Sequence, residues 1–291
     1  MIPLDLVRLS DLMKRGQGRP EITIALIDGP VLLDHPDLAG VPIRDLPGKA
    51  KGACSLADSV ACTHGTFVAS VLSARRDSVA PSICPGCTLL VRPIFAETAN
   101  GNGQMPSASP EELAEAIIES VNAGARVINL SSALLQSSAK GEVRLEEAFN
   151  YAAHRGAIVV AAAGNQGTVG SSAITRHRWV IPVAACDNQG KPLPESNLGS
   201  SIGRHGLSAP GENVMGLGTD GKPRTFGGTS AAAPFVTGAI ALLWSEFPQA
   251  RAADVKLAVT RCGRQPHKAV MPPLLDAWAA YQMMASAHTG R

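Results

Sequence analysis

Four short stretches of this chain carry residues able to do chemistry together. Gly227-Gly228-Thr229-Ser230-Ala231-Ala232-Ala233-Pro234 opens an apolar run that ends near Phe247. Its glycines permit tight backbone conformations, and Thr229 or Ser230 can start a helix whose free N–H groups point forward. Small alanines leave room beside the Ser230 hydroxyl, and the positive helix end favours an anion formed there. Ahead of it lie Asp28-Gly29-Pro30 after one apolar run, His64-Gly65-Thr66 before a second, and Ala162-Ala163-Gly164-Asn165 at the end of a third. Any one of these alone is a common turn, cap or core pattern. Together they supply the groups that acyl transfer at a peptide bond requires: a nucleophile, a base for its proton, an acid to orient that base, and donors for the oxyanion. In this reading Ser230 attacks, His64 takes and returns the proton, and Asp28 holds the imidazole. Asn165 joins the Ser230 backbone N–H in facing the oxyanion.

Residues so far apart in sequence need a scaffold that brings them to one edge. The apolar runs at 22–27, 89–95, 127–130, 157–162 and 179–185 read as buried strands, the first ending at Asp28 and the fourth leading into Asn165. Between them, Ser109-Pro110-Glu111-Glu112 is a strong helix start, with a cap, Pro at the first position and acids in the first turn. That helix is expected to run to residue 123, and others over 142–154 and after Thr229, with His64 near a helix start. A short amphipathic helix is expected at 4–15 and a closing one at 270–284. Strands alternating with helices imply an α/β fold, a mostly parallel central sheet with helices on both faces. The C-terminal edge of such a sheet is where ligands bind. No linker or repeat divides the chain, so residues 1–20 are expected to form a short helical extension and 21–291 a single domain.

Charge and composition narrow the partners. With 26 Lys and Arg against 24 Asp and Glu and 4% aromatic residues, there is no basic, aromatic-laced surface of the kind that binds nucleic acid. The apolar runs are too short for a membrane span, and the N-terminus shows no basic stretch followed by an apolar one. A cytoplasmic protein with no cofactor is therefore expected, and the oligomeric state is left open.

Asp-Gly after a buried strand, His-Gly-Thr, Ala-Ala-Gly-Asn and Gly-Thr-Ser-x-Ala-x-Pro, in that order, resemble the subtilisin-like serine proteases. The order of acid, histidine and serine is that family's own. The resemblance covers about residues 21–282, with Leu274-Leu275-Asp276-Ala277 similar to the family's closing helix. It implies a subtilisin-like three-layer fold, Asp28, His64 and Ser230 as the catalytic triad, and Asn165 in the oxyanion hole. It further implies that Asn129, Leu130, Ser131, Ser132 and Ala133 pair with an extended peptide, opposite a rim at Gly101, Asn102 and Gly103. Ala162, Ala163 and Gly164 would wall the pocket for the residue before the cut. Leu26-Ile27-Asp28-Gly29-Pro30 and residues 80–95, with Cys84-Pro85-Gly86-Cys87, resemble proteases that mature cyanobactin-type ribosomal peptides, which implies a peptide or precursor-protein substrate.

The chain also departs from that family. Gly29 follows Asp28 without the usual small hydroxyl residue, Phe67 replaces a common second histidine, and Ala133 replaces a glycine. Gly29 and Ala133 suggest a relaxed site and keep alive a second reading, a catalytically silent module that binds peptides in a maturation complex. No room exists between Arg75 and Pro81 for the family's calcium-binding insertion, so no metal is expected there. Cys54, Cys62, Cys84 and Cys87 leave three readings open: a four-thiolate zinc site, a Cys54–Cys62 disulfide, or free thiols. The expected compartment favours thiols.

Overall fold

A strand buried on both faces reads as an unbroken apolar run, and Thr23–Asp28 is such a strand, with all six residues buried. The structure, a computed structural model, describes residues 3–46, 48, 52–56, 58–97, 107–131, 139–261 and 270–289. The chain begins with helices α1 (Pro3–Leu6) and α2 (Leu9–Met13), then strand β1 (Thr23–Asp28). Strand β2 (Ile43–Asp45), helix α3 (Val60–Ser73) and strand β3 (Thr88–Pro93) follow. Helices α4 (Pro110–Asn122) and α5 (Ala139–Arg155) alternate with β4 (Val127–Leu130) and β5 (Ile158–Ala162). Next come α6 (Ala173–Arg176), β6 (Val180–Cys186), α7 (Ser200–His205) and β7 (Leu207–Pro210). An antiparallel pair, β8 (Val214–Leu217) and β9 (Pro223–Phe226), precedes α8 (Thr229–Glu246), α9 (Ala252–Arg261) and α10 (Ala277–Thr289).

Strands β1 to β7 form one parallel sheet in the order β2-β3-β1-β4-β5-β6-β7. Alternate side chains of each strand feed two cores. Ile24, Leu26, Val127 and Val160 pack with α3 and α8, whereas Ala25, Ile27, Ile128 and Val159 pack with α4 and α5. This is the expected three-layer α/β architecture. Helix α8 is apolar all round, as a central helix must be, and every residue from Ala231 to Ser245 is buried. At about 1.5–3 kcal/mol for each large apolar side chain withdrawn from water, Phe235, Ile240, Leu242 and Leu243 make it a principal anchor of the fold.

Several elements differ from the sequence expectation. The first helix breaks in two at Arg8, whose φ of 53° is left-handed. Val7 O there accepts the Ala277 N–H at 3.0 Å, and the break lets Val7, Leu9 and Leu12 all reach the core. The N-terminal segment is thus packed into the domain. Helix α3 starts at Val60, because Ser59 Oγ caps it by accepting the Cys62 N–H at 3.3 Å, so His64 stands in the second turn. The closing helix starts at Ala277, since the chain before it is held against β7 by Ser208 N–H to Pro273 O and Leu275 N–H to Ser208 O.

Close packing marks the place where α3 crosses the end of β1. A Cβ built on Gly65 would sit 2.4 Å from Pro30 O and 2.5 Å from Gly29 O, and one on Gly29 would sit 2.0 Å from Ala61 O. Backbone therefore meets backbone, and neither side can yield by turning a side chain. Replacing glycine by alanine inside a helix gains about 1 kcal/mol in propensity, whereas overpacking costs about 1–3 kcal/mol and more where backbone must move. Gly65→Ala is accordingly expected to lower the unfolding free energy by about 1–3 kcal/mol in urea titration. An unchanged or higher midpoint would show that the α3–β1 contact is loose.

Candidate active site

Asp28 is the last residue of β1 and is fully buried. Its Oδ1 accepts the Gly29 N–H at 2.7 Å and lies 2.7 Å from His64 Nδ1, while its Oδ2 has no partner among the described residues. An ionised carboxylate only accepts hydrogen bonds, so the imidazole proton is on Nδ1 and the Nε2 lone pair faces the other way. Phe226 stands edge-on to the His64 ring at 5.9 Å and stacks on Phe67 at 4.5 Å. Phe67 is the residue expected to replace a second histidine, and Phe226 contacts both it and the imidazole. Burial works to lower the pKa of His64, but the charge of Asp28 and its hydrogen bond together outweigh it, and the net shift is upward. The imidazole is therefore a stronger base than a free one.

Ser230 is the second residue of α8 and is half-buried, between the buried Thr229 and Ala231. The first N–H groups of a helix lack intrahelical partners. Here Thr229 N–H is taken by Asn165 Oδ1 at 2.8 Å, and those of Ala231 and Ala232 by Gly228 O. The Ser230 N–H keeps no backbone partner among the described residues. Thr229 Oγ1 also donates to Asn165 Oδ1 at 3.0 Å and accepts the Gly164 N–H at 3.1 Å. A backbone N–H can only donate, so the Asn165 atom facing it is the oxygen. The NH₂ of the same amide is thereby turned outward, and it has no partner among the described residues. A base, a hydroxyl at a positive helix end and two N–H donors thus occupy one edge of the sheet.

The other expected residues fall into three groups. Ala162, Ala163 and Gly164 are buried beside Asn165, with Gly164 at a φ of 104° and its carbonyl accepting the Asn197 N–H. Asn129 and Leu130 are fully buried within β4. The Asn129 side chain accepts from Thr237 Oγ1 at 2.7 Å and donates to Ser131 Oγ at 2.6 Å, which ties β4 to α8. Gly101, Asn102, Gly103, Ser132 and Ala133 lie outside the described residues. Two contributors escaped the sequence reading, Phe226 and Asn197. Asn197 Oδ1 accepts from Gln166 N–H and Thr168 N–H, and its Nδ2 donates to Ala163 O, so it holds the loop after Asn165 in shape.

The expectation of free thiols is corrected for two cysteines. Cys54 and Cys62 form a disulfide, joining the segment before α3 to the helix that carries His64. Closing a loop of 8 residues restricts the unfolded chain by about 2–3 kcal/mol in the chain-entropy account. The four-thiolate zinc reading fails as well. Cys84 and Cys87 are buried free thiols, and the ligand atom grouped with Cys54 and Cys62 is a carboxylate oxygen of Glu97. That carboxylate accepts the N–H groups of Ser55 and Leu56.

Among the described residues no helix is long and apolar enough to cross a membrane. A model of the subtilase family matches residues 19–265. The thermophilic serine proteinase of Bacillus sp. (strain AK1) is 32% identical over 240 residues, 81% of this chain and 54% of that protein. Subtilisin Savinase of Lederbergia lenta is 31% identical over 235 residues, 80% of each chain. Among solved structures, a point mutant of the protease domain of PatA has a TM-score of 0.83 at 29% identity, covering 93% of this chain and 98% of that one. The prenylagaramide maturation protease PagA has a TM-score of 0.81 at 29% identity, with 94% and 97% covered. The chain spans about half the length of the first curated relatives it matches, 54% and 48%. It belongs to the subtilase family, and its α/β fold is the subtilisin-like one.

Proposed function

We propose that the chain is a serine endopeptidase that cleaves a peptide or precursor protein through an acyl-enzyme, in the maturation of a ribosomally made peptide. The observation that carries this reading is the buried 2.7 Å contact between Asp28 Oδ1 and His64 Nδ1, which fixes a basic imidazole at the edge of the sheet that presents Ser230. Ser230 Oγ attacks the scissile carbonyl carbon and its proton passes to His64 Nε2. The oxyanion accepts hydrogen bonds from the Ser230 N–H and Asn165 Nδ2. As the C–N bond breaks, His64 returns the proton to the leaving amine, and water then releases the acyl group by the same steps. The substrate lies as an added strand past the end of β4, its pairing beginning at Ser131 because Asn129 and Leu130 are already paired with β1 and β5, with Ala162, Ala163 and Gly164 against its side chain before the cut. The maturation role is supported by the likeness to PagA, a maturation protease by name, and to the protease domain of PatA.

Intact mass after fluorophosphonate treatment tests the nucleophile. One adduct on the wild type and none on Ser230→Ala is expected. A folded wild type that takes up no reagent would sink the proposal in favour of a silent peptide-binding module. A randomised peptide pool then supplies a cleaved sequence for kinetics.

His64 must be neutral to accept a proton, and Asp28 raises its pKa. The acidic limb of kcat/KM is therefore expected above the ordinary imidazole value of about 6.5, with rates falling tenfold per pH unit below it. The stability that the charged pair contributes has the opposite sense. It is present below the unfolded-state pKa and is lost as the pH rises through the folded one. A limb at or below about 6.5 would contradict the assignment of the base.

Removing one oxyanion donor costs about 2.7–4 kcal/mol, or 10²–10³ in kcat, and this is expected for Asn165→Ala. Thr229→Val deletes the hydroxyl held between Asn165 Oδ1 and the Gly164 N–H. About a tenfold loss of kcat with little change in KM is expected, since a neutral hydrogen bond is worth about 0.5–1.5 kcal/mol. A change confined to KM would place Thr229 in substrate binding instead.

A further inference from the structure

Beyond the N-terminal edge of the sheet, opposite the edge that carries Asp28 and Asn165, lies a second cavity of about 280 Å³. Trp179, the residue before β6, forms one wall, and Arg204, His205, Lys256 and Arg261 contribute to the rest, with no acidic residue among the described residues of the lining. Arg204 and His205 end α7, and Arg261 ends α9. The Lys256 ammonium stands 5.6 Å over the Trp179 ring and donates to Arg178 O at 3.0 Å. Neither Arg204, Lys256 nor Arg261 forms an ion pair among the described residues.

The group is electrostatically uncompensated. Burial brings Lys256 down to about 8, and no carboxylate opposes that effect. His205 is lowered first by burial and then by the charges of Lys256 and Arg204, although its bond to Thr175 O acts upward. His177, in the adjoining cavity, is lowered by burial and Lys256 against the pull of Glu146. Lys256 and His205 are partly withdrawn from water, where like charges repel more strongly, whereas Arg204 and Arg261 are exposed. An anion with several acceptor oxygens would convert that repulsion into charge-assisted hydrogen bonds.

We infer that this cavity binds a phosphate-type oxyanion, held by Arg204, Lys256 and Arg261 against the Trp179 wall. The site is separate from the peptidase edge and does not rest on the proposed reaction. Its ligand is either a free inorganic anion or the phosphoryl group of an organic ester, for which the Trp179 ring offers a stacking face.

Isothermal titration calorimetry of the full chain with inorganic phosphate, pyrophosphate and phenyl phosphate decides the matter, against sodium chloride at matched ionic strength. Saturable binding of at least one phosphate is expected, weakened at least tenfold in both Lys256→Gln and Arg261→Gln. Glutamine keeps an N–H donor for Arg178 O, and Arg261 is exposed, so the two variants guard against a folding artefact. Phenyl phosphate binding more tightly than phosphate would assign the site to an organic ester, and equal or weaker binding to the free anion. The inference is overturned if none of the three gives saturable heat beyond chloride, or if both variants bind as the wild type does.

Discussion

Strand β1 and helix α3 meet backbone to backbone at Gly29 and Gly65, and the acid–imidazole pair depends on that approach. The two elements contribute one partner each, so the 2.7 Å bond between Asp28 and His64 is a readout of how closely the helix lies on the strand end. A methyl group at either glycine would open the gap by more than a hydrogen bond tolerates. The departure at Gly29, which in sequence suggested a relaxed site, is in the structure a requirement for a tight one. The Cys54–Cys62 bond adds a covalent restraint to the same helix two residues before His64.

The second half of the site is organised from the other end of the chain. Helix α8 lies in the core along most of its length and leaves only Ser230 in its first turn half-buried, where a nucleophile must be reachable and an oxyanion favoured. Thr229 translates this placement into chemistry. By occupying the oxygen of Asn165 with both its N–H and its hydroxyl, it leaves the amide no orientation but the one that turns the NH₂ outward. One neighbour of the proposed nucleophile thus sets the polarity of the proposed oxyanion donor.

What could be read from the sequence follows from the range of the forces involved. Strands β1, β4, β5 and β6 were legible because burial on both faces leaves an uninterrupted apolar run, and α4 because its start is capped locally by Ser109 and Glu112. The four polar motifs were legible because each sits at the boundary of an apolar run, two where it ends and two where it begins. Strand β9 is mostly exposed and β2 is only three residues long, so neither leaves a hydrophobic period to detect. Asn197 reaches partners 29 to 34 residues away, and nothing local marks it. The break at Arg8 and the late start of α10 come from each other, through the Val7–Ala277 bond, and so depend on a contact between the two ends of the chain. Cysteine spacing alone left the sulfur atoms of Cys54 and Cys62 undecided, since their meeting depends on where α3 begins.

The burial of α8 also governs how this protein fails. Amides of a helix enclosed from Ala231 to Ser245 exchange with solvent through opening of the whole cooperative unit rather than by local fraying. Ser230 sits at the margin of that unit, one residue from its protected interior. Displacing the serine by a large amount therefore means unwinding the end of a helix whose very next residue is enclosed in the core. For a chain read as a peptidase, the same coupling protects it from itself: the segment least able to become an extended substrate is the one that carries the serine.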